Sequence, residues 1–384
     1  MRVAIVTESF LPQINGVTNS VLRVAEFLKL RGDEAMIIAP ESDGIPSNYA
    51  GFRIKTVRSI PVEKILPVGL PMGLPSRKLE ALLDGFNPDV IHLASPMVLG
   101  GYAARIASKL KIPTVSIYQT DMAGFASHYK MNIAGASLRK LTSAVHSATS
   151  RTLAPSTWAI SELADNGVEN LHLWRRGVNS QLFHPMKRDE KLRESWRDYR
   201  ETKYIVGFVG RLANEKRIYD LKVLDQNPLI QLVITGDGPA REKLEETLPN
   251  AIFTGFKSSE DLAKTYASFD LFVHTGPNET FCQAVQESLA SGVPAVVPAT
   301  GGPRDLVSHG ITGYVINTHR PDELEAAVYH FFREADQNLM AMQARVSVEG
   351  RTWDEINAQL ISHYKAVINE NESNIIDRDE SGVA

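Results

Sequence analysis

The sequence predicts an α/β protein of two doubly wound, Rossmann-like domains facing each other across a cleft. Three observations carry this expectation. The chain has 384 residues, too many for one ordinary hydrophobic core and about right for two. Apolar β-branched runs alternate with amphipathic helical patterns, as in parallel sheets covered by helices. The alternation stops and restarts near residue 186, which divides the chain into residues 1–185 and 186–351.

In the first half the strand candidates are RVAIVT (2–7), EAMIIAP (34–40), DVIHLA (89–94), PTVSIY (113–118) and TLAPS (152–156). Helical periodicity fills 16–31, 76–85, 97–110 and 134–149 between them. Phe86–Asp89 reads F-N-P-D, a sharp turn whose proline blocks helix continuation. The charged stretch 187–200 has the composition of an exposed helix or linker. In the second half the strands are YIVGFVG (204–210), IQLVITG (230–236), AIFTGF (251–256), LFVHT (271–275) and PAVVPA (294–299), with helices over 216–224, 240–247, 259–267, 281–291 and 321–334.

Two stretches break the pattern. Residues 59–75 are rich in Pro, Gly and aliphatics and form neither a long helix nor a central strand. Residues 352–370 form a late amphipathic helix expected to cross back onto the first domain, and 371–384 read as a disordered acidic tail.

Composition narrows the class. Apolar residues are 43 % and charged residues 22 % of the chain, as in ordinary globular proteins. A single cysteine, Cys282, excludes a disulfide framework and a Cys-based metal site, and suits a reducing, cytoplasmic setting. The opening MRVAIVTESF reads as a buried strand rather than a signal peptide. No stretch reaches the roughly 18 apolar residues of a membrane span. A net charge of −4 argues against general nucleic-acid binding. The charge is uneven, about +5 over residues 1–185 and about −9 over the rest. That asymmetry fits solvated faces, and equally a first domain that meets an anionic surface.

Ligands of doubly wound sheets bind beyond the carboxyl ends of strands, so the loops after strands hold the candidate residues. After the first strand, Asn15-Gly16 opens a helix whose free amides suit an anion, although a plain turn reads the same way. After YIVGFVG come Arg211 and Lys216, either a diphosphate clamp or a solvated basic loop. T-G-D-G-P (235–239) is a glycine turn after the next strand. In G-P-N-E-T-F (276–281) Glu279 precedes a helix, beside the amides of Phe281 and Cys282, and Glu287 follows about two turns on. One carboxylate with free amides can hold sugar hydroxyls and the second a ribose. The same spacing fits a helix-dipole glutamate followed by a surface one. The only D-x-D, Asp377–Asp379, lies in the acidic tail, so no metal is expected.

Together these motifs resemble the GT-B-fold glycosyltransferases of family 4, which retain anomeric configuration. The resemblance rests on the Gly16 loop, L-W-R-R-G-V-N-S-Q-L-F-H-P (173–185), G-R-x4-K, G-D-G-P, the E-x7-E pair and S-G-V-P-A-V-V-P-A-T-G-G-P-R-D (291–305). It implies that the Gly16 amide faces the donor phosphate and that Arg211 and Lys216 neutralise the diphosphate. It implies that Glu279, with the Phe281 and Cys282 amides, holds the transferred sugar, that Glu287 holds the ribose, and that Phe256 and Lys257 frame the base. Two positions depart from the pattern. Gln119, in Tyr118-Gln119-Thr120-Asp121, stands where relatives carry a histidine; it can contact a sugar hydroxyl, as can Asp121, but carries no proton. Cys282 stands where glycine is common.

The chain looks most like actinobacterial α-mannosyltransferases that use GDP-mannose to build lipid-linked mannosides, and next most like UDP-sugar enzymes such as sulfoquinovosyl transferases acting on diacylglycerol. The resemblance thus implies a nucleotide-sugar donor, a glycolipid acceptor, peripheral contact with the cytoplasmic membrane face, and no cofactor. Two other classes remain: a nucleotide-cofactor oxidoreductase, disfavoured by the missing G-x-G-x-x-G, and a non-catalytic nucleotide-sugar-binding protein.

Overall fold

A computed structural model describes residues 1–61, 71–120, 132–197 and 202–381. Contacts divide the chain into two units, Met1–Arg176 with Asp354–Ala384, and Gly177–Trp353.

The first unit carries strands β1 (Arg2–Thr7), β2 (Glu34–Pro40), β3 (Asn48–Tyr49), β4 (Phe52–Val57), β5 (Ser59–Pro61), β6 (Pro71–Gly73), β7 (Val90–Ala94), β8 (Thr114–Ile117), β9 (Arg151–Ala154) and β10 (Leu171–Leu173). Eight of them form a sheet in the order β10-β9-β8-β7-β1-β2-β4-β3, parallel except for β3. Side chains alternate across a strand, and both faces of β1 are apolar because both are covered. Val3 and Ile5 face a core shared with the helix Gly16–Leu30, while Ala4 and Val6 face the helices Arg77–Phe86 and Val98–Leu110. Order reverses beside β1, with β2 on one side and β7 on the other.

The helix Trp353–Ser381 belongs to this unit, as the amphipathic pattern predicts. Ile356, Leu360, Ile361, Tyr364 and Val367 lie in the core of the first sheet. Two buried polar contacts fix the register: the Trp174 indole donates to the Ile356 carbonyl at 2.8 Å, and the Tyr364 hydroxyl meets His92 Nδ1 at 2.5 Å. The helix also runs on as far as Ser381 within the stretch read as a tail, where Asn371 donates to the Lys111 carbonyl at 3.0 Å. Charged, acidic composition suggested disorder there, but it is equally compatible with the last turns of a helix already seated on a core.

The second unit carries β11 (Tyr204–Val209), β12 (Ile230–Thr235), β13 (Ile252–Gly255), β14 (Leu271–Val273), β15 (Ala295–Pro298) and β16 (Gly313–Ile316) in the order β13-β12-β11-β14-β15-β16, all parallel. This is the doubly wound order, with its reversal between β11 and β14.

Several elements differ from expectation for identifiable reasons. The division falls at Arg176/Gly177 rather than near 186, because Val178 and Phe183 are buried in the second core and Arg345 donates to the carbonyls of Ser180 and Phe183. Residues 187–200 are no exposed linker over the part described. They include the helix Glu190–Trp196, whose Trp196 stacks on Phe269 and whose buried Arg193 donates to the Ser268 carbonyl at 2.6 Å. In place of one helix over 216–224 the chain makes short turns at Asn214–Lys216, Ile218–Leu221 and Lys222–Asp225, interrupted by Arg217 in the left-handed region at φ 51°. Within 59–75, β5 and β6 pair antiparallel, and the residues between them lie outside those described.

His92 gives a pH-dependent test of how the helix is seated. Burial pulls its pKa down to about 3, so the fold holds it neutral while the unfolded chain, near 6.5, binds a proton in between. Stability therefore rises with pH across that window and is lost as acidification carries the pH down through it, by at most about 1.4 kcal/mol per pH unit from this group. His92→Gln is expected to flatten the acid limb of the thermal-midpoint profile relative to the parent chain. An unchanged acid limb would remove His92 from this account.

Candidate active site

The loops after β11 and β14 leave the second sheet on either side of its order reversal. The turn Asn214–Lys216 carries the β11 loop across, and the Thr275 hydroxyl fixes it by donating to the Lys216 carbonyl at 2.7 Å. There the Lys216 ammonium donates to Glu279 Oε1. Burial lowers a lysine pKa, but the charge and hydrogen bond of Glu279 more than offset it here, so Lys216 stands above its ordinary value and is charged. His274 lies beside the pair, Nε2 3.7 Å from Glu279 Oε1, and burial pushes its pKa down to about 4, which leaves a neutral ring.

Glycines permit this approach. A Cβ on Gly236 would lie 1.9 Å from the Gly210 carbonyl oxygen, so only glycine, here at φ 133°, lets the β12 loop close on the β11 loop. A Cβ on Gly302 would lie 2.3 Å from the Thr280 oxygen and 2.7 Å from the Phe281 nitrogen, while the Gly302 amide donates to the Glu279 carbonyl at 2.7 Å. The G-G turn after β15 thus braces the Glu279 loop from behind.

Cys282 heads the helix Gln283–Ala290 with φ 80°. Its buried thiol is raised well above the ordinary cysteine pKa by burial and by the neighbouring Glu279 charge. The amides of Phe281 and Cys282 find no acceptor among the described residues. Glu287, one turn into the helix, is half-buried, and burial raises its pKa to about 7 against the opposing pull of Tyr266 and Gln283. Arg211 is exposed and donates to Glu215 at 2.6 Å. Phe256 stands 76 % exposed just beyond β13, with Lys257 half-buried beside it.

In the first unit the loop after β1 is organised by Asn15. Its Oδ1 accepts from the Val17 and Thr18 amides at 3.0 Å each, and its Nδ2 donates to Ser9 Oγ at 2.7 Å. Asn15 is therefore a helix cap, not merely a turn residue. The Gly16 amide at that helix start has no acceptor among the described residues. Arg176 donates to both the Gly16 carbonyl and Gln119 Oε1, so Gln119 is held by a guanidinium at the Gly16 loop. Glu8 accepts from the amides of Met97 and Gly100 at 2.9 Å each, and burial raises its pKa to about 6 against those hydrogen bonds. Asp121 lies outside the described residues.

This constellation has relatives. The profile described as Glycosyltransferase Family 4 matches residues 14–182, and that described as Glycosyl transferases group 1 matches residues 189–349. A GDP-mannose-dependent alpha-mannosyltransferase of Corynebacterium glutamicum is 48 % identical over 96 % of this chain and 89 % of its own length. The chain belongs to the family 4 glycosyltransferases. A sulfoquinovosyl transferase of Arabidopsis thaliana is 31 % identical over 85 % of this glycosyltransferase and 65 % of its own chain. Anabaena HepE, solved in complex with UDP, shares the fold at TM-score 0.76 and 17 % identity, over 95 % of this chain and all of its own. The fold is GT-B.

Of the residues singled out by sequence, the glycosyltransferase brings Lys216 onto Glu279 and sets Cys282 Sγ within 4.8 Å of a Glu279 oxygen, with Phe281 and Glu287 flanking them on the same loop and helix. It turns Arg211 toward Glu215 instead. Three polar residues at these loops lie outside the sequence-based set: Glu8 and Arg176 in the first unit, and His274 in the second. Glu8 had one readable signal, its place directly after the first strand. Arg176 lies within a motif whose pattern, not its side chain, drew attention, and His274 lies inside an apolar strand pattern that offered no separate signal.

Gly302→Ala is expected to displace the Glu279 loop and to lower kcat/KM at least tenfold with the first unit unaffected. Kinetics at the parental level in this variant would show that the turn does not brace the site.

Proposed function

We propose that this glycosyltransferase transfers mannose, with retention, from GDP-mannose to a lipid-linked acceptor at the cytoplasmic membrane face. The observation that carries the reading is the charged Lys216–Glu279 pair beside free amides at the switch point of the second sheet. Breaking the bond from the anomeric carbon to the diphosphate leaves negative charge on the leaving group. Lys216, Arg211 swung from Glu215, and the Gly16 amide would stabilise that charge as it develops. Glu279 and the Phe281 and Cys282 amides hold sugar hydroxyls, Glu287 the ribose, and Phe256 with Lys257 the base. The acceptor hydroxyl attacks from the leaving-group face and gives its proton to a phosphate oxygen, so no side-chain nucleophile is needed. Charge neutralisation falls to side chains, and the reaction is assigned no metal or other cofactor.

GDP-mannose is favoured over a UDP-sugar by the 48 % identity to a GDP-mannose-dependent relative. Peripheral membrane contact is supported by the positive charge of the first half of the chain. Among the described residues no helix is long and apolar enough to cross a membrane.

Two measurements test the reading. With lipid acceptors present, turnover is expected from GDP-mannose and not from UDP-glucose or UDP-sulfoquinovose, and Arg211→Ala should lower kcat on the order of 10²–10³. Turnover from a UDP-sugar alone would overturn the donor. The second concerns Glu287. With its pKa near 7, the carboxylate that accepts ribose hydroxyls is protonated as pH falls through neutrality, so donor KM should rise below pH 7. Glu287→Gln should raise KM at high pH and remove that dependence; a profile that keeps its inflection near 7 would assign the titration elsewhere.

A further inference from the structure

The donor-side loops hold a second arrangement, in which Glu279 is shared with the proposed sugar site while the His274 ring and the Cys282 thiol have no part in sugar transfer. A His274 ring nitrogen, a Glu279 oxygen and Cys282 Sγ all lie within 4.8 Å of one another. His274 is 2 % exposed, and neither ring nitrogen has a hydrogen-bond partner among the described residues; its nearest anionic atom is Glu279 Oε1 at 3.7 Å. A buried imidazole without partners is costly, and one aimed at a carboxylate and a thiol has the chemistry of a ligand set. Cys282 adds a second cost, since a non-glycine residue at φ 80° is strained. Tetrahedral zinc with N, O and S ligands sets its donor atoms about 3.3–3.8 Å apart, so inward shifts of roughly 1 Å would complete three corners.

Contrary to the expectation drawn from the single cysteine, we propose that His274, Glu279 and Cys282 form an inhibitory site for a thiophilic divalent cation, zinc, which displaces the Lys216 ammonium from Glu279. Lys216 is only partly buried and sits on a flexible stem, so it can leave toward solvent. Binding converts the thiol to thiolate and releases one proton, and water fills the fourth position. The sulfur and imidazole ligands select zinc over magnesium. Inhibition follows under the proposed donor reading, because the cation occupies the Glu279 carboxylate assigned to the sugar hydroxyls and moves the Lys216 ammonium out of its place. The binding itself does not rest on that reading, and its test uses no donor.

The experiment titrates the metal-free full chain with Co²⁺, a spectroscopic stand-in for Zn²⁺, and follows the thiolate-to-cobalt charge-transfer band. Cys282 is the single cysteine, so the band reports this site alone. One equivalent of Zn²⁺ is expected to abolish the band, excess Mg²⁺ to leave it, and higher pH to strengthen it. His274→Gln should weaken Co²⁺ binding at least tenfold, since even an outer-shell partner is worth about 10–100-fold. No band in the parent chain, displacement by Mg²⁺, or parental affinity in His274→Gln would each overturn the site. The parent-chain result stands even if the variant fails to fold.

Discussion

The Lys216–Glu279 ion pair is the contact on which the second unit's site depends, and sequence separation makes it demanding. The two residues come from different strands' loops and meet only because β11 and β14 are parallel neighbours. Both side chains are about one-fifth exposed, so neither charge is fully solvated. Removing either partner would leave the other partly desolvated and uncompensated, which costs far more than the pair itself is worth. The geometry around it therefore has to be held by backbone. Thr275 fixes the Lys216 carbonyl, and Gly302 fixes the Glu279 carbonyl. Neither contact touches the charged atoms, yet each decides where they lie.

Much of this was readable because the relevant patterns are local. Each strand beside a site has a continuous apolar run, and each glycine turn follows such a run directly, so the loops could be named from periodicity alone. The C-terminal helix was readable for the same reason: its apolar spacing at 356, 360, 361, 364 and 367 is helical and one-sided. What sequence missed was set by partners far along the chain. β4 (FRIKTV) alternates polar and apolar residues beside the edge hairpin, and β10 has only three residues. Trp196 and Arg193 looked like parts of a charged linker because their burial is created by Phe269, Ser268 and Asp270, more than seventy positions away. Arg176 gave no sign that it would bond Gly16 and Gln119.

Both units place carboxylates against helix starts at the reversal of strand order, and they do so to opposite effect. Glu8 spends one oxygen on the amides of Met97 and Gly100, so the start of the helix Val98–Leu110 is already satisfied from within. It ties β1 to β7 across the reversal and is a structural strut. The anion-receptive amide in that unit lies instead at Gly16, where Asn15 caps the next two amides and leaves the first one open. In the second unit the relation is inverted. Glu279 is bound by Lys216, and the amides of Phe281 and Cys282 at the following helix start have no acceptor among the described residues.

That inversion gives each unit's helix start its own binding chemistry. A lone amide beside a guanidinium, as at Gly16 and Arg176, offers donors only and matches phosphate oxygens. A carboxylate beside amides and an ammonium, as at Glu279, offers acceptor and donors within one loop, which matches hydroxyls that both give and take hydrogen bonds. Glu287 extends the second kind of chemistry along the same helix. Its raised pKa follows from the burial that any ligand-shaped site imposes, and it places the protonation of that carboxylate close to neutral pH. Amides and an ammonium can only donate, so the two acids along this helix start supply the acceptors that a set built for phosphate alone would not need.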